Sequence, residues 1–293
     1  MTKGSLVEEH YARQGIAARV LTALRAVNGP DVPITPDTLA PIDHFHARGV
    51  IATEALAVLL QPKATDHLLD IGCGIGGPAR WIAAKYRCRV IGVDLTMEFC
   101  EAARQLNTAT GLADRVEILH GSALALPVAD ESFDRAYSQA ALMNISDKQS
   151  VFREALRVLR PGGSLALSLA GGGSAGEPHY PLPWATTPAI SFLVTPDEVR
   201  GDLLAAGFQI VSVRDTSSTL AVGLASIIKQ LETEGLPPLG PHVVAGEREK
   251  EWRLNIMRSL TEGRLSTIEA MARKPPRIRK QASDRAEILA PPS

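Results

Sequence analysis

Residues 68–77 read LLDIGCGIGG, an apolar run followed by a turn with glycine at 72, 74, 76 and 77, and then Pro78, which suits the first turn of a helix. A strand, a glycine turn and a helix start in this order lead one to expect a nucleotide-type ligand. Glycine lets the backbone take positive φ and approach a ligand, and the helix start offers unpaired N–H groups to polar ligand atoms. Gly72, Gly74 and Gly77 also satisfy GxGxxG, so the turn alone leaves both a dinucleotide and an adenosyl ligand open. A purely structural tight turn is the weaker reading.

On either side of this turn the apolar period alternates between short runs and helical stretches, the pattern of a mostly parallel sheet with helices on its faces. Strands are expected near residues 67–71, 89–93, 116–119, 133–138, 164–169 and 208–214, with a last strand at 266–274. Helices are expected near 77–86, 97–110, 147–159 and 196–206. Ser146 and Gln149 fit a capping box for the helix at 147, and Arg160-Pro161-Gly162-Gly163 ends it. Upstream, residues 5–28 read as one amphipathic helix and 47–60 as another, separated by the proline-rich DVPITPDTLAPID. The organisation expected is a helical cap over 1–62, the α/β domain over 63–274 with a helical insertion at 216–262, and a disordered tail at 275–293. The basic residues from Lys274 to Lys280 read as a solvated charge run.

The 293 residues are 45% hydrophobic and 22% charged, an ordinary globular balance. With 31 basic and 32 acidic residues the net charge is −1, so no overall field draws the chain to nucleic acid or an anionic membrane. No window reaches the ~18 apolar residues of a membrane span, and the N-terminus lacks a signal-peptide core. The three cysteines, Cys73, Cys88 and Cys100, lack framework spacing. A cytoplasmic protein with a small-molecule partner is expected, with a homodimer left open. Cys73 reads as a small apolar filler of the turn, since no base is visible for a thiolate.

Two carboxylates narrow the ligand. Asp70 stands two residues before the first glycine, where a carboxylate attracts the cationic end of an amino-acid-bearing ligand, and this favours S-adenosylmethionine (SAM). Asp94 closes VIGVD, placed to accept hydrogen bonds from ribose hydroxyls. Together with GSALALPVADESFDRAYSQ and ALRVLRPGG, these segments resemble the class I SAM-dependent methyltransferases over about residues 63–215. IDHFHARG, MNISDK, HYPLPWA and SFLVTPDEVRGDLLAAGF are similar to a subgroup that includes the sarcosine and dimethylglycine N-methyltransferases.

The resemblance implies a Rossmann-like seven-stranded sheet whose last strand runs antiparallel, with SAM as cofactor and S-adenosylhomocysteine as its product. It assigns Asp70, Gly72, Gly74 and Gly76 to the amino-acid arm of the cofactor, Asp94 to the ribose, and Leu95, Ser122 and Ala123 to the adenine. Gln139 joins the cofactor set, and Met143, Asn144, Tyr180 and Trp184 the acceptor pocket. Two positions depart from the pattern: Ser122 stands where the family places Asp, and Ala140 where the subgroup often has His. Losing the charge-assisted hydrogen bond at 122 weakens binding by ~1 kcal/mol.

Methyl transfer needs alignment of an acceptor lone pair with an activated methyl and exclusion of water, with a base useful for oxygen or protonated nitrogen. His46 and His179, ahead of His44, Tyr137 and Tyr180, are the expected bases. No metal is expected, since a His-x-His pair without further ligands is not a metal site. The reaction expected is transfer to N, O or C of a small molecule, as in natural-product metabolism. The competing readings are a SAM-binding protein that catalyses a cyclisation, rearrangement or decarboxylation, and an NAD-dependent oxidoreductase. A nucleic-acid methylator is disfavoured because SQAALMNIS after the fourth strand lacks an Asn/Asp-Pro-Pro-aromatic signature.

Overall fold

A computed structural model describes residues 3–277 apart from 45, 47 and 247. Its strands are β1 (His67–Ile71), β2 (Arg89–Asp94), β3 (Val116–His120), β4 (Phe133–Gln139), β5 (Leu159–Gly172), β6 (Gln209–Asp215) and β7 (Leu265–Arg273). They form one seven-stranded sheet in the order β3-β2-β1-β4-β5-β7-β6. The first five strands pair in parallel, and β7 inserts antiparallel between β5 and β6. The central strand β1 is buried from Leu68 to Ile71, which is why its sequence is a near-continuous apolar run rather than an alternation.

Chain order runs outward from β1 to β3 on one side and from β4 on the other. The crevice beyond the carboxyl ends of β1 and β4 is therefore a topological switch point, the usual ligand site of an open α/β sheet. The helices are α1 (Lys3–Tyr11), α2 (Ile16–Asn28), α3 (Pro36–Asp43), α4 (Val50–Leu60), α5 (Gly77–Tyr86), α6 (Met97–Ala109), α7 (Lys148–Val158), α8 (Pro196–Ala206), α9 (Ser217–Thr233), α10 (His242–Ala245) and α11 (Glu249–Thr261). Among the described residues, no helix is long and apolar enough to cross a membrane.

One sheet face carries Leu69, Ile71, Ala136 and Leu165 against α7 and α8, and the other carries Leu68, Tyr137, Ala166 and Met271 against α4 and α5. A third cluster joins Val20 and Leu24 of α2, Leu39 and Ile42 of α3, and Phe99 and Leu106 of α6. The N-terminal helices thus pack over the glycine turn.

Several local expectations need correction. Residues 5–28 form two helices, because Gly15 at φ 67° takes the left-handed region and breaks the run. The proline-rich stretch holds α3, whose Thr35 and Thr38 make a reciprocal capping box and whose Pro36 occupies the first turn, where a missing N–H costs nothing. Asp147, not Ser146, caps α7, its side chain accepting from the Ser150 N–H at 2.9 Å. The turn at 160–163 ends α7 but belongs to β5, since Gly162 N–H donates to Lys274 O and Lys274 N–H to Gly163 O. Of the tail expected at 275–293, residues 278–293 lie outside the described residues.

Candidate active site

The turn after β1 is anchored to β2: Gly72 N–H donates to Val93 O at 2.8 Å, and Gly74 N–H to an Asp94 carboxylate oxygen at 2.8 Å. The other Asp94 oxygen accepts from Thr96 N–H at 2.9 Å, so each oxygen keeps lone-pair capacity for a hydroxyl. The glycines divide by role. Gly72 and Gly74 have positive φ and line a cavity of about 310 Å³. A Cβ on Gly72 would lie 2.3 Å from the Ala141 Cβ, so position 72 tolerates no side chain.

Gly76 does not line the cavity. It is the residue preceding α5, and its α-carbon faces the Arg80 guanidinium, with 2.9 Å between a built Cβ and Arg80 Nη1. Gly77 accommodates the end of α3, since a Cβ there would stand 2.1 Å from Asp43 O. The second pair of glycines packs against neighbouring helices, so Gly76, expected at the ligand, stands outside the cavity lining.

Asp70 is buried at 2% exposure, and Tyr137 donates to it at 2.9 Å. Burial pushes its carboxyl up to about 8, the Tyr137 hydroxyl pulls it back, and Asp94 nearby adds to the rise. A buried carboxyl facing a cavity without a paired cation is a seat for a cationic group. Leu95, Ser122 and Ala123 line the same cavity, with Ile75 and Phe99 as apolar walls. The Ser122 hydroxyl oxygen already accepts from Leu124 N–H at 3.2 Å, so one of its two lone pairs is taken.

A second cavity adjoins the first. Tyr11, His46, Gln139 and Ala140 line both. Met143, Trp184, Leu220, Ile256 and Leu265 give the second cavity an apolar wall, with Ser168, Thr267 and Glu269 on its sheet side. Gln139 is held by a relay. Burial takes the His44 imidazole down to about 4, with the nearby Arg80 charge acting in the same direction, so the ring is neutral. Its Nδ1 lies 2.9 Å from Thr53 Oγ1, and Thr53 donates to Gln139 Oε1 at 3.1 Å. Thr53 Oγ1 therefore accepts from His44 Nδ1–H. His46 Nε2 stands 3.4 Å from the same hydroxyl. Gln139 Nε2 is left buried with no hydrogen-bond partner, at the border of the two cavities.

Residues 69–167 match a protein-family model described as a methyltransferase domain. Over these residues the chain is similar to methyltransferase domains, and its sheet has the class I methyltransferase fold. Residues of the chain are 40% identical over 127 positions to methyltransferase GfsG of Streptomyces halstedii, covering 43% of this chain and 46% of that one. They are 35% identical over 127 positions to a sarcosine/dimethylglycine N-methyltransferase of Halorhodospira halochloris, covering 43% and 45%. The chain thus matches under half the length of these two curated relatives. Among solved structures, the [4+2]-cyclase SpnF aligns with a TM-score of 0.61 and 26% identity, covering 78% of this chain and 82% of that one.

The remaining expected residues fall into two groups. His46, Asn144, Met143 and Trp184 stand at the cavities. Asn144 accepts from the Tyr11 hydroxyl at 2.9 Å and donates to the Trp184 and Ile190 carbonyls. His179 and Tyr180 line neither cavity. His179 Nε2 is 2.7 Å from Glu262, and that carboxylate is shared with Arg258 and Arg264, so the expected base is engaged in a surface ion cluster. Tyr11 was not among the expected residues. It is a lone tyrosine in a polar helix, and no spacing ties it to a turn more than sixty residues away; only the docking of α1 brings it there.

Proposed function

We propose that the protein binds SAM in the cavity of Asp70, Gly72, Gly74 and Asp94 and passes the methyl group to a small-molecule nucleophile in the adjoining cavity. The observation that carries this is the shared wall: the cavity with the buried Asp70 carboxyl opens into a second, mostly apolar one at Tyr11, His46, Gln139 and Ala140. The site residues fit such a ligand. Asp70 receives the ammonium of the amino-acid arm, the Gly72–Gly74 backbone admits that arm closely, and Asp94 accepts from the ribose hydroxyls. Leu95, Ser122 and Ala123 border the adenine.

Bound SAM supplies a methyl already activated by its sulfonium, so the chain's task is alignment and exclusion of water. The Gln139 amide holds an acceptor oxygen by donation from Nε2. His46, lining both cavities, takes the proton of a hydroxyl or protonated-amine acceptor. Tyr11, fixed by Asn144, closes the junction from α1. The protein acts in the cytoplasm on small molecules, without nucleic-acid or membrane partners, in natural-product-type metabolism; a homodimer belongs to the same reading.

Calorimetry with SAM and S-adenosylhomocysteine is the test. Both bind the wild-type chain, and Asp94→Ala weakens both roughly 10- to 100-fold, equivalent to about 1.5–3 kcal/mol for hydrogen bonds to a charged group. Undetectable binding of either compound, or an Asp94→Ala variant that binds normally, overturns the proposal. A second reading has one observation in its favour, the likeness to a [4+2]-cyclase at 26% identity. It keeps SAM bound without turnover, and differs in yielding no S-adenosylhomocysteine when a product forms.

A further inference from the structure

The floor of the second cavity has a polar row set by strand register. Gln139 of β4 pairs with Ser168 of β5, and Ser168 pairs with Glu269 of β7. Paired residues share a sheet face, and all three line the cavity. Adjacent strands lie about 4.8 Å apart, so Gln139 and Glu269 stand ~10 Å from each other across the sheet. Gln139, at the wall shared with the first cavity, offers an unpartnered buried donor. At the far end of the cavity-lining part of this row, the Glu269 side chain makes no hydrogen bond or ion pair among the described residues, and Arg214 of β6, next in register, does not line the cavity. Between and above them stand Met143, Trp184, Leu220, Ile256 and Leu265.

We infer that the second cavity selects an amphipathic amine: an apolar body with a hydrogen-bond-accepting oxygen at Gln139 and an ammonium at Glu269, about 10 Å away. This rests on the proposed methyltransferase reading and adds the substrate class to it. Glu269 is half-buried beside an apolar wall, where a carboxylate attracts a substrate cation more strongly than it would in open water. The donor at Gln139 requires a lone pair opposite it, so the atom presented to the first cavity is an oxygen and not the ammonium. Compact zwitterions such as sarcosine are too short to engage both ends and leave the apolar wall uncovered. Arg48 also lines this cavity, but it faces an outer crevice bordered by α9 and α11 as well, and Gly223 of α9 packs beside it. It belongs to the rim, whereas Glu269 is fixed on β7, a strand paired on both sides.

Three matched probes test this on the full chain saturated with S-adenosylhomocysteine: tyramine, the uncharged alcohol tyrosol, and the anion 3-(4-hydroxyphenyl)propionate. By calorimetry, tyramine binds at least about tenfold more tightly than the anion, with tyrosol between them. Glu269→Gln reduces the tyramine preference to within about threefold while leaving S-adenosylhomocysteine affinity unchanged. Equal or tighter binding of the anion overturns the inference and assigns selection to Arg48. So does a preference that survives Glu269→Gln, or tyramine that fails to bind up to millimolar concentration. Failure of S-adenosylhomocysteine itself to bind strikes instead at the methyltransferase reading, so the two failures are separable.

Discussion

Asp70 is the residue whose environment most directly shapes ligand binding. Its carboxyl is raised to about 8 by burial, so near pH 7 the ligand-free protein holds it mostly protonated. An ammonium seated against it favours the ionised form. Binding of SAM or S-adenosylhomocysteine at pH 7 is therefore predicted to release close to one proton, and affinity should rise with pH until about 8. Calorimetry in buffers of different ionisation enthalpy reads the proton directly, and Asp70→Asn should abolish the release and weaken binding. The linked stability has the opposite slope. Because the folded value lies above the unfolded one, Asp70 favours the ligand-free fold fully below about pH 4, and that contribution is lost as pH rises through about 8. The position of Asp70 was legible two residues before the glycines; its protonation was not, because burial is a property of the packed sheet.

At the scale of elements, the docking of α3 on α5 holds the site together. Arg80, fully buried on α5, donates to Asp43 at the end of α3 at 2.8 Å and to Asn107 of α6 at 2.9 Å. Gly76 and Gly77 leave the space in which this junction sits. Asp43 itself lines the first cavity, so the ion pair joins the N-terminal helices to the ligand site. Breaking a buried pair by removing one partner leaves an uncompensated charge. Arg80→Ala is predicted to lower stability by about 3–5 kcal/mol in urea denaturation. A loss under about 1 kcal/mol would mean that the junction does not hold α3 in place. The GIGG sequence announced a turn and a helix start, and its last glycine proved to answer a helix thirty residues upstream. That contact pairs residues far apart in the chain, which local pattern cannot reveal.

For the whole molecule, the first cavity is closed by elements remote in sequence: Tyr11 from α1, Asp70 and Asp94 from the sheet, and Val244 from α10. Ligand in such a cavity links the N-terminal helices to the sheet. At 100 times its dissociation constant, S-adenosylhomocysteine should add about 2.7 kcal/mol of stability. For a chain of this size, that corresponds to a rise of roughly 4–5 °C in Tm. Trypsin provides the spatial readout, because Arg13 is exposed in the break between α1 and α2. Cleavage there is predicted to slow with ligand bound; an unchanged rate would show that α1 does not respond to the cofactor cavity.

The sequence by itself determined the alternation of strands and helices, the switch-point turn at 68–77 and the two carboxylates that flank it. These are local patterns of apolar period, glycine and charge, written within one strand, turn and helix. Tertiary structure alone decided that His46 and Tyr11 reach the junction while His179 is drawn to Glu262. It alone decided that Gly77 serves α3, and that Gln139, Ser168 and Glu269 form one row. Those facts depend on strand register and helix docking, which join residues up to about 130 positions apart through packing that no single segment encodes.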